Sequence, residues 1–144
     1  MRFLLLLACI LCVRAEAQIT FDGCVDYRGV PVASVPNYQL NDIAQAIPNA
    51  YGTSVIQFNP QVVAWVSPAT RLFFYAHECA HLAVPTGDES AADCWAATML
   101  VNRGLLNALG IQIVEGEIAR FGRADWSHVG GPQRAINIQA CLSD

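Results

Sequence analysis

The chain contains no lysine, so arginine accounts for all 8 of its Lys and Arg residues. Charged residues make up only 14% of the 144 positions, and the formal net charge is −4. An acidic chain without basic clusters argues against nucleic acid as a partner. Long apolar runs are also missing. The stretch Phe3 to Val13 falls well short of the roughly 20 residues that span a bilayer, which argues against a permanent membrane span. There is no internal repeat and no low-complexity segment, and 144 residues suit one domain with one core rather than two.

What is present begins with an export signal. Met1-Arg2 is a brief basic start, Phe3 to Val13 is apolar, and Ala15-Glu16-Ala17 supplies an A-x-A site, so residues 1–17 read as a signal peptide cleaved before Gln18. Leu6-Leu7-Ala8-Cys9 resembles a lipoprotein box, but few apolar residues precede it. Cleavage removes Arg2, Arg14 and Glu16 and moves the net charge from −4 to about −5. The single domain is then 18–144, in the periplasm or outside the cell.

Cysteine usage points the same way. Cys24, Cys79, Cys94 and Cys141 remain as an even set, and four cysteines allow three connectivities that sequence alone does not choose among. The expected pairs are Cys79–Cys94, joining two consecutive helices, and Cys24–Cys141, tying the ends of a small domain.

In chain order, Ile19 to Val35 is rich in β-branched and aromatic residues with a turn at Arg28-Gly29, which predicts a hairpin. Asn37 to Ile47 carries Leu40, Ile43, Ala44 and Ile47 at helical spacing and stops at Pro48. Ser54 to Phe58 alternates as a strand, either a plain core or edge strand or an edge that receives an extended peptide. Gln61 to Val66 reads as a short helix or an irregular connection. Ser67-Pro68 then caps a helix running to about Ala83. Pro85 to Gly87 stops it, and Asp88 caps a second helix, Glu89 to Arg103, that ends on Gly104. Leu105 to Val114 supports no single assignment, Glu115 to Phe121 reads as a short helix, 122–131 as a loop, and Pro132 opens the last helix. The fold class expected is α+β.

The chemistry concentrates in Phe73 to Asp93, FFYAHECAHLAVPTGDESAAD. His77, Glu78 and His81 form H-E-x-x-H. Residues four apart on a helix lie about 40° from each other around its axis, so both imidazoles project from one face and can share a metal ion. Glu78 lies beside that face, where a carboxylate can reach a zinc-activated water without being a ligand. The neighbours Ala76, Cys79, Ala80, Leu82 and Ala83 are small or apolar. Two buried histidines beside a buried glutamate are costly without a compensating cation. Glu89 is the expected third ligand. Asp93, four residues on, can accept the ring N–H of a ligand histidine and fix its tautomer; as an alternative, acidic residues near a helix N-terminus simply complement the macrodipole, which explains Asp88 better. Cys79 sits about 200° around the helix from His77 and faces away from the metal. Trp65, Trp95 and Trp126 read as core or rim packing.

HECAH followed by Glu89-Ser90-Ala91-Ala92-Asp93 resembles the H-E-x-x-H plus E-x-x-A-D arrangement of gluzincin metallopeptidases. It is most similar to the CAAX prenyl peptidase and HtpX-like group, and more distantly to ImmA/IrrE-type peptidases. The resemblance implies a zincin-like domain, zinc, endopeptidase activity and the roles already described. That group also carries Ser or Thr, then His and Pro, with Arg six residues after the histidine. Ser127-His128 and Arg134 match the spacing, with Val129 in place of proline and without the transmembrane helices of the membrane members. The resemblance gives His128 the role of hydrogen-bonding the oxyanion. Arg134 then either orients carboxylates around the site, binds a substrate carboxylate or forms a structural ion pair.

The expectation is therefore an exported zinc endopeptidase acting on peptides or proteins, with His77, His81 and Glu89 on Zn2+ and Glu78 as general base. Two alternatives stand beside it: a secreted zinc-containing binding or regulatory module without useful turnover, and a disulfide-stapled adaptor domain.

Overall fold

The computed structural model describes residues 23–84, 86–122 and 130–143. The expected signal peptide and His128 lie outside the described residues. Among the described residues the architecture is α+β: a three-stranded sheet and five helices. The strands are β1 (Ala33–Pro36), β2 (Ala44–Ile47) and β3 (Val55–Phe58), in the order β1-β3-β2. β1 runs parallel to β3, and β2 antiparallel to it, with Ala46 opposite Ile56.

The helices are α1 (Pro60–Val63), α2 (Pro68–Ala83), α3 (Glu89–Asn102), α4 (Ala108–Phe121) and α5 (Gly131–Cys141). Each of the first four starts on a side-chain cap: Asn59, Ser67, Asp88 and Asn107 accept from backbone N–H groups of the opening turn. Proline at the first position of α1 and α2 has the φ a helix needs and loses no hydrogen bond there. Gly104, at φ +67°, ends α3. α2 is the hub, packed against β2, α3 and α4. Phe73, Ile56, Leu100, Val114 and Ile138 are fully buried around it. α4 and α5 approach so closely that a Cβ on Gly131 would collide with the Ile118 carbonyl.

Four expectations need correction. The helix expected over Asn37 to Ile47 does not form; its second half is β2. The Asn59 side-chain amide donates to the carbonyls of Tyr38 (3.3 Å) and Leu40 (2.7 Å), so this segment's backbone is held from outside, and pairing with β3 overrides the helical spacing. Among the described residues the expected hairpin is an isolated antiparallel bridge, Val25 to Pro31, around Gly29 at φ +77°; the chain beyond it joins β3 in parallel instead of folding back. β3 lies in the middle of the sheet, so it offers no edge to an incoming peptide. The residues from 108 to 121 form one continuous helix, opened by Asn107.

The cysteines also pair differently from expectation, as Cys24–Cys79 and Cys94–Cys141. α2 turns His77 towards α3, so Cys79, on the opposite side of α2, meets the segment containing Cys24. Cys94 follows Asp93 by about 100° around α3 and turns to the end of α5. Each bridge thus ties a site-bearing helix to a segment distant in sequence.

Candidate metal centre

α2 and α3 meet at the H-E-x-x-H face, which brings His77, His81 and Glu89 together. His77 Nε2 and His81 Nε2 are 3.2 Å apart, and Glu89 Oε2 lies 3.0 Å from the first and 3.4 Å from the second. Ligands about 2.1 Å from a tetrahedral zinc stand about 3.4 Å from one another, so these separations match a shared ion. His77, His81 and Glu89 are the group, among the described residues, that can hold a metal.

The outer ring nitrogens explain why the inner ones face inward. His81 Nδ1 lies 2.9 Å from the Thr86 carbonyl, which can only accept, so Nδ1 carries the proton. His77 Nδ1 likewise donates to Asp93 Oδ1 at 2.8 Å. Neutral imidazoles held this way present bare lone pairs at Nε2. Two lone pairs and the Glu89 carboxylate therefore converge on one point with no donor among them. A cation or an added proton satisfies that arrangement.

Electrostatics of the ligand set agree. Burial pushes the His77 pKa down, but hydrogen bonds to Asp93 and Glu89 outweigh it and raise it to about 9. Those same bonds favour a proton on His77 when no cation is bound, and metal binding must expel it.

Asp93 is itself fixed. Arg134 grips it with two bonds, Nε to Oδ2 at 2.9 Å and Nη2 to Oδ1 at 2.7 Å. Burial raises the Asp93 pKa, yet Arg134 and His77 outweigh burial and hold it below the usual carboxylate range. Both partners are buried, at 1% and 7% exposure, so Arg134 is engaged with Asp93 and does not await a substrate carboxylate. Its guanidinium also lies 5.7 Å from the Phe74 ring centroid.

Glu78 sits beside the ligands, with Oε1 4.0 Å from His77 Nε2. Its other oxygen accepts the Ala46 N–H of β2 at 2.6 Å. Burial raises the Glu78 pKa, against the lowering influence of His77 and of that N–H. Neither Ala46 nor the Thr86 carbonyl was legible as a site group, because both act through backbone atoms that any residue type supplies.

A cleft of about 1130 Å³ opens over the site, bounded by β2, the α1–α2 turn and the end of α4. The Ile43 carbonyl accepts from Asn59 N–H, which puts Ile43, Gln45 and Ile47 on the β3 side of the ladder and turns the backbone groups of Ala44 and Ala46 outward to the cleft. Trp95 packs on the core, as expected, whereas Trp65 stands 86% exposed on the cleft wall. Trp126 and His128 fall outside the described residues. No family model, curated protein or solved structure matches the chain.

Proposed function

We propose that this protein is a zinc-dependent metallopeptidase with a zincin-like site, exported and disulfide-bonded. The observation that carries the reading is the convergence of two N–H-anchored histidines and a glutamate at zinc-like separations, with a further buried carboxylate, Glu78, beside them. Imidazole and carboxylate ligands suit zinc. Three protein ligands are the number that would hold a catalytic rather than a structural zinc.

Zinc bound there supplies a Lewis acid that lowers the pKa of water towards about 7. The chain's own residues do the rest. Glu78, oriented by the Ala46 N–H, takes the proton of the attacking water and returns it to the leaving amine. Asp93, held by Arg134, keeps His77 in the tautomer that points Nε2 inward. The outward backbone groups of Ala44 on β2 suit alignment of an extended peptide across the site, and the cleft is large enough for several of its side chains. His128 remains the proposed oxyanion donor, a role that only the resemblance to the CAAX prenyl peptidase and HtpX-like group gives it.

Two disulfides fit an oxidising compartment, and no helix among the described residues is long and apolar enough to cross a membrane. The test is Glu78→Gln. It should keep one zinc per chain and lose cleavage of a mixed peptide substrate by about 10²- to 10⁴-fold. Turnover within a few-fold of the parent, with zinc still bound, would rule out the assignment.

A further inference from the structure

The cleft lining carries apolar side chains in contact with water. Trp65, in the turn between α1 and α2, is 86% exposed, and Phe121, at the end of α4, is 58% exposed. Val62 and Leu40 extend the same lining. An indole left in solvent on the wall of a cleft beside a reactive site is the arrangement of a binding hot spot, since tryptophan offers much apolar area with few rotatable bonds.

Charge narrows the occupant. Asp42, Glu78, Glu89 and Glu117 all line the cleft. Among the described residues the only basic side chain there besides the two metal-facing histidines is Arg134, which is engaged with Asp93. Glu117 accepts the Ser67 N–H and hydroxyl at the start of α2 and so stays fixed in the wall. Apart from Glu78 and Glu89 at the metal site, Asp42 and Glu117 keep the lining acidic among the described residues.

We infer that the cleft selects extended peptides that present an aromatic or large aliphatic side chain to Trp65, and that it rejects acidic residues around that position. The inference rests on the peptidase reading and deepens it by naming the substrate class. Seating one such side chain against the indole corresponds to about tenfold or more in affinity over alanine, and each acidic residue facing the cleft weakens binding several-fold.

The experiment is a positional peptide library digested by the zinc-loaded protein, with cleavage sites read by mass spectrometry. Phe, Tyr, Leu and Met should be enriched about tenfold over Ala at one fixed position from the cut, with Asp and Glu depleted there. Trp65→Ala should flatten that enrichment, Trp65→Phe should retain it, and Asp42→Asn should relax the depletion of acidic residues. Enrichment unchanged in Trp65→Ala overturns the inference.

A binding arm separates this from failure of the peptidase reading. With zinc-loaded Glu78→Gln, a labelled alanine-rich decapeptide containing one Phe should bind about tenfold more tightly than its all-alanine counterpart by fluorescence anisotropy. That difference should vanish when Trp65→Ala is added. Ranked binding without any cleavage by the parent protein supports the cleft and refutes hydrolysis. Equal or undetectable binding of the two peptides refutes the cleft, whether or not peptides are cut.

Discussion

Replacing Arg134 with leucine removes the guanidinium that holds Asp93 while keeping an apolar side chain against Phe74. Both nitrogens of the pair bond Asp93 at 2.9 and 2.7 Å, and Asp93 is 1% exposed. Among the described residues, the variant therefore leaves the buried carboxylate with His77 as its remaining partner. Breaking a buried pair on one side costs about 3–5 kcal/mol, and loss of the cation–π attraction to Phe74 adds about 1 kcal/mol. For a domain of this size the sum corresponds to a fall of roughly 10–20 °C in Tm. Zinc affinity should drop about tenfold or more, since Asp93 no longer sits squarely behind His77. Asp93→Asn added to Arg134→Leu should cost less than the two single changes together, because no unpaired charge is then buried. The assays are thermal melts of chelated protein and zinc competition against a chromophoric chelator. A loss below about 1 kcal/mol for Arg134→Leu, or strict additivity in the double variant, would refute the view of Asp93 and Arg134 as one buried unit behind the metal ligand.

With zinc removed, stability should fall as pH rises. The His77 pKa is raised from 6.5 to about 9 in the fold, so its contribution is fully present below about pH 6.5 and is lost as pH rises through about 9, amounting to at most about 3 kcal/mol. Zinc-loaded protein should show no such decline over this window, because the proton has already been expelled; melts at pH 6, 7.5 and 9 with and without chelator measure the gap, and a chelated Tm that is flat across them contradicts the protonated His77. Each disulfide closes a separate loop, with sequence separations of 55 for Cys24–Cys79 and 47 for Cys94–Cys141. Chain entropy assigns about 4 kcal/mol to each. The paired alanine variants should lower stability by amounts of that order in denaturant melts, additively, and a loss under about 1 kcal/mol for either would argue against the pairing.

The parts of the site that lie close in sequence were readable in advance. Helical spacing puts His77 and His81 on one face, the turn before Asp88 is too short to let Glu89 and Asp93 stray, and Ser67, Pro68 and Asp88 mark where the two helices begin. These are local rules, acting within one turn or one loop. Residues 37–47 defeated the same kind of reading, because four apolar positions suit either a helix face or a short strand, and only pairing with β3 chose between them. The disulfides failed for a related reason: their partners are set by which sides of α2 and α3 are left after the two helices meet.

The sequence by itself determined a metal-ligand pair, its flanking carboxylates and the helices that present them, since each depends on contacts a few residues apart. Tertiary structure alone decided that β2 forms the edge over the site, that the Ala46 N–H and the Thr86 carbonyl orient Glu78 and His81, that Arg134 belongs to Asp93, and that Trp65 faces an acidic cleft. Those outcomes depend on long-range packing and on backbone groups identical in every residue, and one-dimensional spacing carries no information about either.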